Sequence, residues 1–239
     1  MAKTKTKMKT DKEQVKVLVV DDHPIVRDGL SMRISGQSDM EVCGEAEDVA
    51  EALDLIRRTR PDVVVIDIAL KTGSGIDLIK RIKVIDDSIR LLAISMYDES
   101  LYAERAIRAG AMGYLNKQVA TRNIIGAIRQ VFDGKMYLSE EMADHMLQLA
   151  RSGERLGQSP VDNLSDRELQ VFELIGRGHS TREIAEHLHL SAKTIDNYRD
   201  FIKTKLNLRD SNELLRQATI WVVDGGRSAG SNQSGDGSA

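Results

Sequence analysis

Asp21, Asp22, Asp67, Ser95 and Lys117 are the side chains of this chain whose types could act together chemically, because each follows an apolar run. Val15-Lys16-Val17-Leu18-Val19-Val20 leads into Asp21-Asp22, Val63-Val64-Val65-Ile66 into Asp67, Leu91-Leu92-Ala93-Ile94 into Ser95, and Met112 to Leu115 into Lys117. Apolar runs without alternation read as strands buried on both faces of a parallel sheet. In such a sheet right-handed crossovers bring every carboxyl end to one edge, where the ligand crevice lies. Three carboxylates gathered there repel one another unless a hard divalent cation sits among them, and Mg²⁺ suits a site of few carboxylates, waters and a phosphate oxygen. A hydroxyl and an ammonium opposite suit a phosphoryl group. Any one of these residues alone would read as a cap or a solvated side chain; the joint pattern reads as a phosphate and Mg²⁺ site.

Helices between the strands must hold that edge together. Pro24 opens a helix from Ile25 to Ile34, Met40 to Cys43 is a short strand, and Asp48 with Glu51 caps a helix to about Thr59. Further helices are predicted over Ile76–Lys83, Glu99–Ala109 with Gly110 as a left-handed stop, and Ile124–Phe132. Strands alternating with helices five times give a doubly wound α/β unit with a five-stranded parallel, flavodoxin-like sheet over 15–134.

The chain of 239 residues has room for a second unit. A helix capped by Ser139 and a Gly-, Ser- and Pro-bearing stretch fill a connection over 135–162, leaving an all-α unit over 163–224. Ser165/Glu168, Ser180/Glu183 and Asp210/Glu213 are capping pairs, and Ser191 caps a helix to Leu206. Two short helices, a tight connection and a longer helix make a helix-turn-helix. The basic tail 1–14 and the low-complexity tail 225–239 are expected to be disordered.

The formal charge of −3 hides a local cluster: residues 193–209 carry five basic and two acidic side chains. On the helix after Ser191, Ile195, Tyr198, Ile202 and Leu206 form a buried stripe, while Lys193, Asn197, Asp200 and Thr204, flanked by Asp196 and Lys203, face away. Such side chains can read base edges. The candidate DNA-contacting set is Lys193, Thr194, Asp196, Asn197, Arg199, Asp200 and Lys203. One cysteine, Cys43, precludes an intramolecular disulfide, and with no signal-like or membrane-spanning segment the reading is a cytoplasmic protein without a membrane partner. His179, His187 and His189 read as surface and cap residues.

Residues 15 to about 134 resemble the receiver domain of two-component response regulators, carried by Asp21-Asp22, Asp67, Ser95 and Lys117 in order and at typical spacing. Residues from Leu164 through Trp221 resemble a LuxR-type helix-turn-helix, through Glu168, Gly178, Ile184, Ala185, Leu190, Ser191, Lys193, Thr194, Ile195 and Leu206. Together they resemble the NarL/FixJ type. The resemblance implies that Asp67 takes a phosphoryl group from a histidine kinase. Asp21, Asp22, Asp67 and the Ala69 carbonyl would hold Mg²⁺, Ser95 and Lys117 would bind the phosphoryl oxygens, and Tyr114 would report movement of Ser95. It also implies homodimerisation when phosphorylated, through Leu214, Leu215, Ala218, Trp221 and Val222, on DNA. Unphosphorylated, the receiver is expected to block the recognition or dimer face.

Gln118 and Lys71 stand where many receivers have Pro, and Tyr97 is positioned to shield an acyl phosphate from water. An aspartate-nucleophile phosphohydrolase is the enzyme alternative, but Ala69 stands where its second acid would be needed. A regulator that binds DNA independently of phosphorylation, with a degenerate receiver, is the other alternative.

Overall fold

The computed structural model describes residues 14–70, 73–96, 99–152 and 160–224. Residues 1–13, 153–159 of the connecting stretch, 225–239, Lys71 and Tyr97 lie outside the described residues. Five strands, β1 (Val15–Val20), β2 (Met40–Ala46), β3 (Val63–Asp67), β4 (Arg90–Ser95) and β5 (Gly113–Asn116), form a parallel sheet in the order β2-β1-β3-β4-β5. They alternate with α1 (Pro24–Ser35), α2 (Val49–Thr59), α3 (Gly75–Ile85), α4 (Glu99–Ala109) and α5 (Lys117–Phe132).

Every residue of β3 is buried, and the two-residue period of the strand divides its side chains between two cores. Val63 and Val65 join Leu30 and Ile34 of α1 and Ile124, Ile128 and Val131 of α5 on one face. Val64 and Ile66 join α2, α3 and α4 on the other, through Ile56, Ile79 and Ala106 among others. This two-sided burial explains the absence of alternation in the strand sequences.

Three boundaries differ from the sequence reading by three residues or more. β2 runs on to Ala46 because a bulge in its pairing between Val17 and Leu18 lets Gly44, Glu45 and Ala46 stay on the β1 ladder. α5 begins at Lys117, seven residues early, with the Asn116 side chain accepting from the Gln118 N–H at its cap. The last helix likewise starts at Ser211 rather than Leu214, capped by Asp210. Gly110 adopts φ +114 after α4, as its expected role as a stop requires.

Past the sheet come α6 (Glu140–Ser152), a 3-10 turn over Pro160–Asn163, and then α7 (Asp166–Gly176), α8 (Thr181–His187), α9 (Ala192–Lys205) and α10 (Ser211–Val223). Full capping boxes form at Ser165/Glu168 and Ser180/Glu183. At Asp48 and Asp210 the caps form, but Glu51 and Glu213 reach back to the N–H one residue earlier, those of Glu47 and Arg209. Phe172 and Trp221 pack tilted with ring centroids 5.6 Å apart and tie α7 to α10. Among the described residues no helix is long and apolar enough to cross a membrane.

Candidate functional site

Strand register brings the five candidate residues together. Val20 pairs with Ile66, so Asp21 falls beside Asp67 at the ends of neighbouring strands. Asp67 pairs with Ile94 and Ser95 with Asn116, so Ser95 and Lys117 follow on the next two strands. Asp21, Asp22, Asp67 and Ser95 are all buried. The Lys117 ammonium stands 2.7 Å from Asp21 Oδ2 and 2.7 Å from Asp67 Oδ2. Asp67 Oδ1 accepts from the Ala69 N–H at 3.1 Å.

Burial pushes the Asp67 carboxyl up to about 6, against the pull of Lys117 and with Asp21 adding to the rise. Burial alone would lower Lys117, but Asp67 and Asp21 outweigh it and hold the ammonium above its ordinary range. Asp21, Asp22, His23 and Asp67 present ligand atoms that all lie within 4.8 Å of one another. Three carboxylates fit a hard cation such as Mg²⁺ by donor type.

His23 was not singled out from the sequence, although it directly follows the acidic pair. Its Nδ1 lies 2.8 Å from Asp22 Oδ1 and 3.3 Å from Asp21 Oδ1, and its N–H donates to Asp21 Oδ1 at 2.9 Å. Tyr114 is buried in the cluster that holds Tyr102, Ala103 and Ala106 of α4, so it sits between β5 and that helix.

On α9, Lys193, Asp196, Asn197 and Asp200 are exposed, and Asp200 pairs with Lys203 at 2.9 Å. Phe201, 57% exposed, shares the outer side and went unnoticed in the sequence because its type suggests core. Thr194 and Arg199 are turned to structural work. Thr194 shares a 2.8 Å hydrogen bond with the Ser191 hydroxyl, and Arg199 donates to Thr181 Oγ1 of α8 at 3.1 Å. His179 and His187 stack at the surface, 6.3 Å between centroids.

The expected dimer face requires correction. Leu214, Ala218 and Trp221 are buried in the helical core, and Val222 packs against it. The outer side of α10 instead presents Leu215, Thr219, Ile220 and Val223. The expected masking is also different: the receiver holds α7, and neither the polar face of α9 nor the outer side of α10 is covered by described residues. Tyr102 Oη donates to Glu173 Oε2 at 3.1 Å, and Ser74 Oγ donates to Asp166 Oδ2 at 2.5 Å. Arg105 donates to the Leu164 and Val161 carbonyls, each at 2.9 Å.

This geometry, a carboxylate edge on a doubly wound sheet joined to a helix-turn-helix, is that of a receiver domain coupled to a DNA-binding unit. Residues 17–129 match the response regulator receiver domain, and 162–218 match the bacterial regulatory proteins of the luxR family. The oxygen regulatory protein NreC of Staphylococcus carnosus (strain TM300) is 33% identical over 210 residues, 85% of this chain and 96% of NreC. RcsB of Salmonella enterica serovar Typhimurium, bound to promoter P1flhDC in the presence of the phosphomimetic BeF3-, is 25% identical. The match covers 87% of this chain and 100% of that one, with TM-score 0.55. A structure of two RcsB dimers bound to two parallel DNAs is 26% identical, covering 87% of this chain and 98% of that one, with TM-score 0.52. The chain belongs to the response regulators of the NarL/FixJ type, a family of DNA-binding regulators.

Proposed function

We propose that Asp67 is the phosphoacceptor of a transcription regulator fed by a histidine kinase, and that phosphorylation favours a dimer on a two-half-site operator. The carrying observation is the buried Asp67 carboxylate at the end of β3, paired with Lys117 at 2.7 Å beside Asp21 and Asp22. An Asp67 oxygen bonds to phosphorus as the donor's imidazole nitrogen leaves, and hydrolysis later returns the carboxylate. Asp21, Asp22, Asp67 and the Ala69 carbonyl would hold Mg²⁺, which when bound neutralises charge on the phosphoryl oxygens. Lys117 exchanges a carboxylate partner for a phosphoryl oxygen, and Ser95 donates its hydroxyl to another. Phosphorylation raises the local charge from one negative to about two, which draws these donors in.

Lys193, Asp196, Asn197, Asp200 and Lys203 would meet the major groove, with Arg199 and Thr194 setting the pose of α9. Leu215, Thr219, Ile220 and Val223 would form the dimer contact. Work on DNA puts the protein in the cytoplasm. Asp67→Asn should abolish labelling by a phosphorylated kinase while the fold survives; undiminished labelling would place the phosphoacceptor elsewhere. Because no described residue covers the polar face of α9, DNA binding without phosphorylation is sterically open at that face, which favours a second reading: DNA binding independent of phosphorylation, with a degenerate receiver. Equal DNA affinity with and without beryllofluoride would decide for that reading.

A further inference from the structure

The β3–α3 connection carries Asp67 at one end and reaches the DNA-binding unit at the other. Gly75 N–H donates to the Ile68 carbonyl at 3.0 Å, and a Cβ on Gly75 would overlap the Asp67 carbonyl oxygen, so the start of α3 is seated against the phosphoacceptor backbone. Ser74 caps α3 by accepting from the Ile76 and Asp77 N–H groups, and its hydroxyl hydrogen goes to Asp166, the first residue of α7. The Leu70 carbonyl, three residues after Asp67, accepts from Arg167 of the same helical turn. From α4 a second arm arrives: Arg105 lies 3.5 Å from the other Asp166 oxygen and binds the Val161 and Leu164 carbonyls ahead of α7, while Tyr102 holds Glu173 two turns further along the same face.

Asp166 and Glu173 are buried acids. A buried carboxylate is tolerated only while its partners stay in place. Asp166 takes one partner from the β3–α3 connection and one from α4, so displacement of either segment strips it of half its support. We infer that Asp166 is the keystone of a latch that fixes the DNA-binding unit on the receiver, and that the β3–α3 connection, not α4 alone, is a sensor of the state of Asp67. The sensing half rests on the phosphorylation reading; the latch itself does not. The latch leaves the polar face of α9 uncovered by described residues and restrains orientation: while α7 is held, two α10 surfaces cannot turn toward each other independently of their receivers.

The test uses the full chain with Cys43→Ser and spin labels at Arg57→Cys on α2 and Arg182→Cys on α8, both exposed. Unphosphorylated protein should show one narrow interlabel distance distribution, and Asp166→Ala and Arg105→Ala should each broaden it severalfold. Ser74→Ala, made separately because it also weakens a cap, should broaden it less, and combined with Asp166→Ala should add nothing. Distributions unchanged in both Asp166→Ala and Arg105→Ala would overturn the latch. Beryllofluoride should broaden the unsubstituted protein's distribution. If it raises DNA affinity but leaves the distances unchanged, the sensing role is overturned while the phosphorylation reading stands. If beryllofluoride alters neither distances nor affinity while the substitutions still broaden the distribution, the phosphorylation reading fails and the latch stands.

Discussion

Gly75 allows the first turn of α3 to lie against the backbone of the phosphoacceptor, because a methyl group there would occupy the space of the Asp67 carbonyl and the Ile68 Cα. Both obstacles are backbone, so neither can rotate away. Gly75→Ala is expected to destabilise the receiver by about 1–3 kcal/mol, the usual range for forced overpacking, read from the urea midpoint. It should also slow labelling of Asp67; an unchanged midpoint would mean that α3 yields without resistance. Glu168 is a second residue whose surroundings set its behaviour. Burial pushes its carboxyl up, yet hydrogen bonds from Lys205 and Ser165 outweigh burial and hold it below the usual range. A carboxyl lowered in the folded state stabilises above its unfolded pKa of about 4.3, and that contribution fades as pH falls through the lower folded value. Glu168→Gln is therefore expected to cost about 1–2 kcal/mol at pH 7, in the range of lost caps. The difference from the unsubstituted protein should shrink steadily below pH 4, measured by denaturant unfolding across pH.

Among the elements, α10 separates two roles that its sequence runs together. Trp221→Ala removes a core ring packed on Phe172 and should destabilise the helical unit by about 3–5 kcal/mol. Leu215→Glu alters an exposed position and should leave the melting temperature within a degree or two while preventing dimerisation of the phosphorylated protein in sedimentation. A stable dimer of that variant would move the contact off α10. Ile220, Trp221, Val222 and Val223 make the last turn apolar all round, so helical periodicity alone could not orient it, and only packing on α7 shows which side chains turn inward. The carboxylate edge was far more legible, since an unbroken apolar run has one end where a charged group can stop, and parallel pairing puts those ends together. The start of α5 was hidden because Lys117 to Asn123 carries its apolar residues too sparsely to show a stripe. The contacts of Ser74, Tyr102 and Arg105 with α7 had no sequence signal, because each joins residues distant in the chain with no periodic pattern between them.

At the scale of the whole molecule, the receiver and the helical unit share one continuous apolar cluster, in which Met142 and Leu164 accompany residues of α2 to α4 and of α7 to α10. α6 is tied to α4 as well, with the Ser139 N–H donating to Glu99 at 2.9 Å. A shift of α4 therefore meets both the helix leading out of the receiver and the first helix of the DNA-binding unit. DNA affinity of a phosphorylated dimer should fall with added salt more steeply than that of the Leu215→Glu monomer, because two α9 helices release more counterions than one. Equal slopes would indicate that only one helix engages.

The polar seam between the units also bears on how interchangeable they are. A receiver transplanted from another protein would meet Asp166 and Glu173 without the hydroxyl, guanidinium and phenol that satisfy them here. A working chimera would have to carry Ser74, Tyr102 and Arg105 along with the graft, or replace both acids, so the two halves of this chain are a matched pair and not freely exchangeable parts.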